Sequence, residues 1–254
     1  MRRKNNGKEK KKEEWHPLTK IFILILSMTL IVVIFQFSLN MMLPDSGNLT
    51  VKHKTDRNQN FFLDDDTFIG KENAPVLIVE FGEFMCPFCG QVHHDIEPLW
   101  KKEYIDTGKA RFVFRDFINS DHPQAYPAAV ASECADAQNR QWQMYDLLFD
   151  NAYSKDTWTK YKDEKSLLDT FEKYAKQIEL NMEEFSNCMR NGTYVDEIKQ
   201  DIFAGISVGV SGTPTIYIGN DETGFTKIRG AQPYSVYKQI IDEKLSSSEF
   251  EDGN

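Results

Sequence analysis

Glu80-Phe81-Gly82-Glu83-Phe84-Met85-Cys86-Pro87-Phe88-Cys89-Gly90 contains two cysteines separated by two residues. The apolar run Val76-Leu77-Ile78-Val79, just before it, is typical of a buried β-strand. The residues after it predict a helix, because apolar side chains recur on one face at Val92, Ile96, Leu99 and Trp100. The two cysteines are therefore expected where a central strand is followed by a helix.

A cysteine at the start of a helix can become a reagent. The backbone N–H groups of the first turn lack intrahelical partners and carry partial positive charge, which stabilises a thiolate at Cys86. The thiolate is the nucleophilic form of cysteine. Cys89, one turn further along, is placed to close a disulfide or to attack a mixed one. Pro87 fits just inside the helix, where its missing N–H costs nothing.

Two other interpretations of the motif are half of a zinc site and a pair of buried structural cysteines. A zinc site normally needs a second ligand pair at matching spacing, whereas Cys134 and Cys188 stand alone and far apart. His93, four residues after Cys89, could share a helix face with it, and His94 is adjacent to His93. The position between strand and helix favours redox chemistry, so no metal site is predicted.

Composition bounds the size and class of the protein. The chain has 254 residues and a net charge of −9 at pH 7. About 190 residues of patterned sequence follow the N-terminal segment, enough for one sizeable domain or a domain with a large insertion. The acidic balance, with no basic stripe beyond the first twenty residues, argues against nucleic-acid binding. Four cysteines are compatible with two disulfides.

The first sixty residues predict a membrane tether. Residues 1–20 form a basic segment, and residues 21–39 carry no charge and are long enough to span a bilayer. The basic side is expected in the cytosol, so the rest of the chain faces outward, where disulfides persist. The alternative is a cleaved signal peptide, but the apolar run exceeds the usual length and no A-x-A-like site follows it. Polar residues 40–60 are interpreted as a linker.

Strand and helix patterns continue through the rest of the chain. A strand at 110–117 completes a β-α-β unit around the cysteine pair. Pro98 predicts a kink or break in the helix between the strands, and Asp64-Asp65-Asp66 is interpreted as a solvated turn. Further helices are predicted at 127–138, 142–151, 167–178, 182–190 and 194–208, then a strand at 210–218, a hairpin strand at 225–230, a helix at 234–245 and a flexible tail at 247–254.

This order of elements resembles the thioredoxin fold with a helical insertion, as in DsbA-like thiol–disulfide oxidoreductases. The resemblance covers roughly residues 66–245. It is carried by the following residues: Cys86-Pro87-Phe88-Cys89, Glu80 in the preceding strand, the Gln141-Trp142 helix and Gly209-Val210-Ser211-Gly212-Thr213-Pro214-Thr215. With a transmembrane helix at 21–39, the chain is similar to the membrane-anchored disulfide oxidases of bacterial cell envelopes.

The resemblance implies an α/β architecture in two parts. A thioredoxin-like domain at 61–121 and 206–246 is interrupted by an all-helical insertion at 122–205. The peptide bond before Pro214 is implied to be cis, with Thr213 and Pro214 packed beside the active disulfide. The alternative is an ordinary proline at a strand edge.

The resemblance also implies roles for residues outside the motif. Glu80, in a strand expected to be buried, is implied to relay a proton to Cys89, and the alternative is that it points to a partly wet edge. Cys134 and Cys188 are implied to form a structural disulfide, and the alternative is two buried unpaired thiols.

From the resemblance we expect an enzyme that introduces disulfides into unfolded or reduced secreted proteins through Cys86 and Cys89. In the oxidised form, Cys86 is expected to be the exposed, attacked sulfur and Cys89 the buried partner. Phe88 departs from the Cys-Pro-His-Cys form of the best-known members and supplies no imidazole, so a still-oxidising but weaker oxidant is expected. No cofactor is expected, and reoxidation is assigned to a quinone-linked membrane partner. A reductase or isomerase, a metal-binding module using both cysteines and a histidine, and a non-catalytic interaction domain are the alternatives.

Overall fold

The computed structural model describes residues 62, 66–155 and 157–251. The predicted basic segment, transmembrane helix and linker, residues 1–60, lie outside these residues. Within the described part of the chain, no helix is both long enough and apolar enough to cross a membrane.

A five-stranded sheet forms the centre of the fold. Its strands are β1 (Phe68–Gly70), β2 (Val76–Gly82), β3 (Ala110–Asp116), β4 (Thr215–Asn220) and β5 (Gly224–Arg229). Their order across the sheet is β1-β3-β2-β4-β5. β2 runs parallel to β3 and antiparallel to β4. Every residue of β2 is buried, as expected for the middle strand of a sheet that is covered on both faces.

Eight α-helices are described, together with two π-helical turns and a short 3₁₀ turn at Trp158–Lys160. The α-helices are α1 (Pro87–Gln91), α2 (Glu97–Trp100), α3 (Ala125–Asp136), α4 (Gln141–Ala152), α5 (Glu164–Gln177), α6 (Met182–Asn191), α7 (Val195–Ser207) and α8 (Tyr234–Glu251).

Two hydrophobic clusters lie on opposite faces of the sheet, because side chains alternate along a strand. Val76 and Ile78 belong to the larger cluster, which also contains both Cys86 and Cys89. Leu77 and its alternate neighbours belong to the smaller one, under α7. The cysteine pair is therefore anchored in the main core.

The chain is helical without interruption from Pro87 to Ile105, so of the kink or break predicted at Pro98 the break is wrong. π-Helical turns at Val92–Ile96 and Lys101–Ile105 alternate with α1 and α2. Pro98 lies in the first turn of α2, directly after a π turn, where its missing N–H is tolerated. The helix thus accommodates the proline by a change of pitch.

The sheet edge next to β3 departs from the prediction. β1 was not predicted, because a three-residue strand carries almost no periodicity of its own, and its pairing with β3 is a tertiary event. Asp66 is not in a solvated turn. Its carboxylate lies 3.1 Å from Nε of Arg115 and is almost completely buried.

The second half of the sheet starts later than predicted. The predicted strand at 210–218 begins only at Thr215, which pairs with Phe81 of β2, because Pro214 before it has no N–H to donate to the sheet. The hairpin of β4 and β5 is confirmed. The last helix continues to Glu251, past its predicted end and into the residues predicted as a tail.

The insertion is helical, as predicted. α6 has the expected ends: the Asn181 side chain accepts hydrogen bonds from the N–H groups of Glu183 and Glu184, and Gly192 ends the helix with a φ of 60°. The structure joins Cys134, on α3, to Cys188, on α6, in a disulfide with a Cα–Cα distance of 5.9 Å.

Candidate active site

Cys86 is the N-cap residue of α1. Its backbone is extended, with φ −73° and ψ 117°. Its N–H donates to the carbonyl of Glu83 at 3.1 Å, and its own carbonyl accepts the helical hydrogen bond of Gly90 at 3.0 Å. Pro87 occupies the first turn, as the sequence predicts. The unpaired N–H groups at this helix end therefore lie next to the Cys86 sulfur.

The Cys86 thiol is stabilised in its charged form. A hydrogen bond from the Cys89 thiol is the largest cause that lowers the pKa of Cys86, to about 6, against the opposing effect of burial. Contacts with Thr213 and with the N–H groups of Phe88 and Cys89 lower the pKa further. The Thr213 contribution comes from its side chain. The carbonyl oxygen of Thr213, 3.4 Å from the Cys86 sulfur, instead accepts a hydrogen bond from the protonated thiol. A large fraction of this thiol is therefore thiolate at neutral pH.

The Cys89 thiol has the opposite tendency. Burial raises the pKa of Cys89 well above its ordinary value, and its hydrogen bond with Cys86 and the charge of Glu80 raise it further. Cys86, which is expected to be exposed in the oxidised form, is 4 % exposed in this reduced pair, and Cys89 is 1 % exposed. The two thiols differ in their interactions far more than in their accessibility.

Glu80 lies within β2 and has no exposed surface. Within the described part of the chain, neither of its carboxyl oxygens makes an ordinary hydrogen bond. Burial raises the pKa of Glu80 well above its ordinary value, the charge of Glu97 adds to the rise, and the Cys89 thiol opposes it. Glu80 is thus a buried carboxyl group that can hold a proton near Cys89 at neutral pH.

Gly82 keeps the space between Glu80 and Cys89 open. A Cβ at this position would lie 2.7 Å from the ring of Phe114, 3.1 Å from Oε1 of Glu80 and 3.2 Å from Sγ of Cys89. The carboxyl group and the thiol therefore approach each other across a position that only glycine fills.

Sequence reasoning missed a second buried acid, Glu83. Its Oε2 accepts a hydrogen bond from the N–H of Met85 at 2.7 Å, and its Oε1 lies 2.5 Å from Nδ1 of His122. Burial raises the pKa of Glu83, whereas the contact with His122 lowers it. Glu83 lies three residues before Cys86, within the stretch that contains the motif. An acidic residue among apolar neighbours is the sequence feature that could have predicted a buried carboxyl group here. His122 lies far from Glu83 in the sequence, and no sequence feature predicts that the two side chains are in contact.

The remaining predicted residues line the outer side of the pair. The Thr213–Pro214 peptide bond is cis, and Thr213 contacts Cys86 as described above. Phe88 is 57 % exposed, although it is a large apolar side chain. The hydroxyl of Tyr153 donates a hydrogen bond to the carbonyl of Met85. The structure thus brings both cysteines together with Glu80, Pro87, Phe88 and Thr213. The Cys134–Cys188 disulfide belongs to the insertion.

Metal ligation by the cysteine pair has no support in the described residues. There, one group of three metal-ligating side chains lies close together, and it contains neither Cys86 nor Cys89. That group is His93, His94 and Asp150.

Comparison with known proteins places this site in a family. A family model described as thioredoxin matches residues 63–243. The chain belongs to the thioredoxin family. Among solved structures of similar fold, oxidised BdbD from Bacillus subtilis is 27% identical with a TM-score of 0.61, covering 71% of this chain and 93% of that chain. Wolbachia pipientis alpha-DsbA1 is 25% identical with a TM-score of 0.62, covering 74% and 95%. The predicted resemblance to DsbA-like proteins is confirmed.

The sequence relatives of this thioredoxin-family chain include proteins named for disulfide bond formation and proteins named as sodium/proton antiporters. "Probable disulfide bond formation protein D" of Bacillus anthracis is 29% identical over 77% of this chain and 86% of its own length. "Na(+)/H(+) antiporter NhaA 3" of Salinispora tropica is 33% identical over 61% of this chain and 22% of its own length. The chain therefore spans about a fifth of the length of that antiporter and of a second Salinispora antiporter.

Proposed function

We propose that this protein is a thiol–disulfide oxidoreductase that introduces disulfide bonds into other proteins. One observation carries the proposal: the pKa of Cys86 is lowered to about 6, while the pKa of neighbouring Cys89 is raised. A thiol with a low pKa departs readily as a thiolate, so a disulfide that includes it is easily broken. The relatives named disulfide bond formation protein D support the same assignment.

The first step opens the Cys86–Cys89 disulfide. A substrate thiolate attacks the Cys86 sulfur, a substrate–Cys86 disulfide forms, and Cys89 leaves as a thiolate. Because burial makes this thiolate costly, it needs a proton at once. Glu80 is the buried carboxyl group placed to donate that proton to Cys89.

The second step releases the product. A second substrate thiolate attacks the substrate sulfur of the mixed disulfide, a substrate disulfide forms, and Cys86 leaves as a thiolate stabilised at the helix N-terminus. The substrate dithiol loses two electrons and two protons. The cysteine pair gains both electrons, and Cys89 gains one proton through Glu80, which is reprotonated from solvent. The other proton stays in solvent while Cys86 remains a thiolate. Both cysteines are free thiols in the structure, which corresponds to this reduced state.

Turnover needs an oxidant that restores the disulfide. We assign this role to a quinone-linked membrane protein, by resemblance to the DsbA-like enzymes. The chain itself needs no cofactor for the exchange, because the cysteine pair carries both electrons.

The substrates are unfolded or reduced proteins that leave the cytosol. Phe88 places an exposed apolar ring between the two cysteines. Unfolded chains expose apolar side chains and can cover this ring, whereas folded proteins have buried most of theirs.

The catalytic domain is proposed to face the outside of the cell, held at the membrane by residues 21–39. A test is fractionation of cells that express the full chain. Carbonate-resistant membrane association at full-length mass supports the anchor, and a shorter soluble product contradicts it.

The activity is tested by oxidation of reduced, unfolded ribonuclease with the oxidised protein. We expect stoichiometric transfer of disulfides and a reduction potential, measured against glutathione, more oxidising than that of thioredoxin, which is about −270 mV. The Cys89→Ala variant cannot form the Cys86–Cys89 disulfide, so it should transfer no disulfide to reduced ribonuclease. A potential near that of thioredoxin, with efficient reduction of insulin, would instead identify a reductase.

A further inference from the structure

Three potential metal ligands converge on the outer side of the active-site helix. His93 and His94 are consecutive residues of the π-helical turn that follows α1, and Asp150 lies on α4 of the insertion. One ligand atom from each residue lies within 4.8 Å of the others. π-Helical turns are rare and occur frequently at functional sites.

The two distances from the histidines to Asp150 suit a shared cation better than direct hydrogen bonds. Nε2 of His93 lies 3.4 Å from Oδ1 of Asp150, and Nδ1 of His94 lies 3.7 Å from the same oxygen. Charged hydrogen bonds between nitrogen and carboxylate are shorter, about 2.7–2.9 Å. Ligands at about 2.0–2.1 Å from a tetrahedral zinc ion are separated from each other by about 3.3–3.4 Å.

A carboxylate outside the group orients His93. Oε2 of Glu97 lies 3.2 Å from Nδ1 of His93, and the hydroxyl of Tyr145 donates a hydrogen bond to Oε1 of Glu97. With Nδ1 directed to Glu97, Nε2 of His93 faces Asp150. A histidine that ligates a metal almost always has such a partner on its other ring nitrogen.

The three side chains differ in their exposure to solvent. The side chain of His93 is only 10 % exposed, whereas those of His94 and Asp150 are about half exposed. All three line a cavity of about 400 Å³. An ion can therefore enter from solvent and keep a water molecule in the fourth position.

We propose that His93, His94 and Asp150 bind a zinc ion, with water as the fourth ligand and Glu97 as the orienting carboxylate. Two imidazoles and one carboxylate form a donor set that suits zinc. The ion connects the active-site helix to α4 of the insertion. The site uses no cysteine, so it is independent of the redox state of the Cys86–Cys89 pair and of the proposed exchange reaction.

Zinc binding by the oxidised full-length protein tests this proposal. The protein is purified in detergent without a polyhistidine tag, and its disulfides are kept closed so that no thiolate competes for the metal. Zinc is titrated in competition with a chromophoric chelator. We expect one ion per chain, a loss of affinity of more than 100-fold in His94→Ala and in Asp150→Asn, and about 10- to 100-fold in Glu97→Gln.

Asp95→Asn is the matched control, because Asp95 is an exposed acid of the same π-helical turn outside the group. It should bind zinc like the parent protein. Cobalt(II) in place of zinc should give visible bands of a tetrahedral ion without the intense near-ultraviolet band of thiolate ligation. Absence of zinc binding, equal affinity in all variants, or a thiolate band would each overturn the proposal.

Discussion

The chain contains two cysteine pairs that burial alone does not distinguish. Cys86 is 4 % exposed and Cys134 is 1 % exposed, and Cys188, of the structural pair, is only partly buried. The first pair is two free thiols with strongly different pKa values, and the second is a closed disulfide between two helices of the insertion. The difference shows that hydrogen bonding and charge, rather than access to solvent, separate a reactive cysteine from a structural one.

Position along the helix explains much of this contrast. Cys86 caps α1, where the first N–H groups have no helical partner and can stabilise a thiolate. Cys134 lies inside α3, where the N–H groups around it already bond to helical carbonyls. A thiolate at Cys134 would have no such stabilisation. The reactive cysteine, Cys86, therefore lies at the start of a helix, whereas the structural disulfide joins cysteines within helices.

The largest effect is expected from removing the reactive sulfur. Cys86→Ser should reduce disulfide transfer to reduced ribonuclease to the uncatalysed rate, because the attacked sulfur is lost. The double variant Cys134→Ala/Cys188→Ala is the control and should keep the parent rate while it remains folded. If both variants lost the same activity, the functional division between the two pairs would be wrong.

Removing the insertion disulfide should affect stability instead. Cys134 and Cys188 are separated by 54 residues, and closing a loop of this length is worth about 4 kcal/mol in the chain-entropy model. We expect Cys134→Ala/Cys188→Ala to lower the free energy of unfolding by roughly that amount. Urea unfolding followed by circular dichroism measures it. A change below about 1 kcal/mol would show that the cross-link adds little to this fold.

Glu80→Gln tests the proton donor beside Cys89. Glutamine cannot donate the proton that the Cys89 thiolate needs, so reduction of the active disulfide by glutathione should slow by on the order of 10²-fold at neutral pH. Stopped-flow tryptophan fluorescence measures the rate.

Asp116→Asn is the matched control for Glu80→Gln. Burial also raises the pKa of Asp116 well above its ordinary value, and the charges that add to the rise are carboxylates rather than thiols. It should destabilise the protein without slowing the exchange. Equal slowing in both variants would assign the effect of Glu80→Gln to general damage.

Local sequence patterns predict the position of the reactive cysteine pair, but they do not predict which distant residues contact it. Strand, motif and helix follow each other within about 25 residues, so the position of Cys86 could be read from the sequence. The ends of α6 were readable for the same reason, since Asn181 and Gly192 act on their own neighbours. The contact between Glu83 and His122 depends on the tertiary fold, and no hydrophobic periodicity in the sequence predicts it.

The predicted start of strand β4 is wrong for a related reason. The sequence predicts that residues 210–214 belong to a strand, but a strand also needs a neighbour to pair with. The ladder with β2 starts where Thr215 pairs with Phe81, because Pro214 has no N–H to donate to it. β2 ends at Gly82, so residues 210–213 extend past its end. Position along a partner strand is a tertiary property.

The smallest effect concerns the ionisation of Cys86. The Cys89 thiol supplies the largest contribution that lowers the pKa of Cys86. A hydrogen bond to a charged group is worth about 1.5–3 kcal/mol, so Cys89→Ala should raise the pKa of Cys86 by about one to two units from its value of about 6. The thiolate fraction at pH 6–7 then falls, and alkylation by iodoacetamide slows in that range.

The pH dependence of the alkylation rate decides between two origins of this thiolate. Cys134→Ala/Cys188→Ala, reduced only at the active pair, should keep its midpoint near that of the parent protein. An unchanged midpoint in Cys89→Ala would assign the low pKa to the helix N-terminus and Thr213 alone. In that case the contrast between the two cysteine pairs would rest on helix position rather than on the neighbouring thiol.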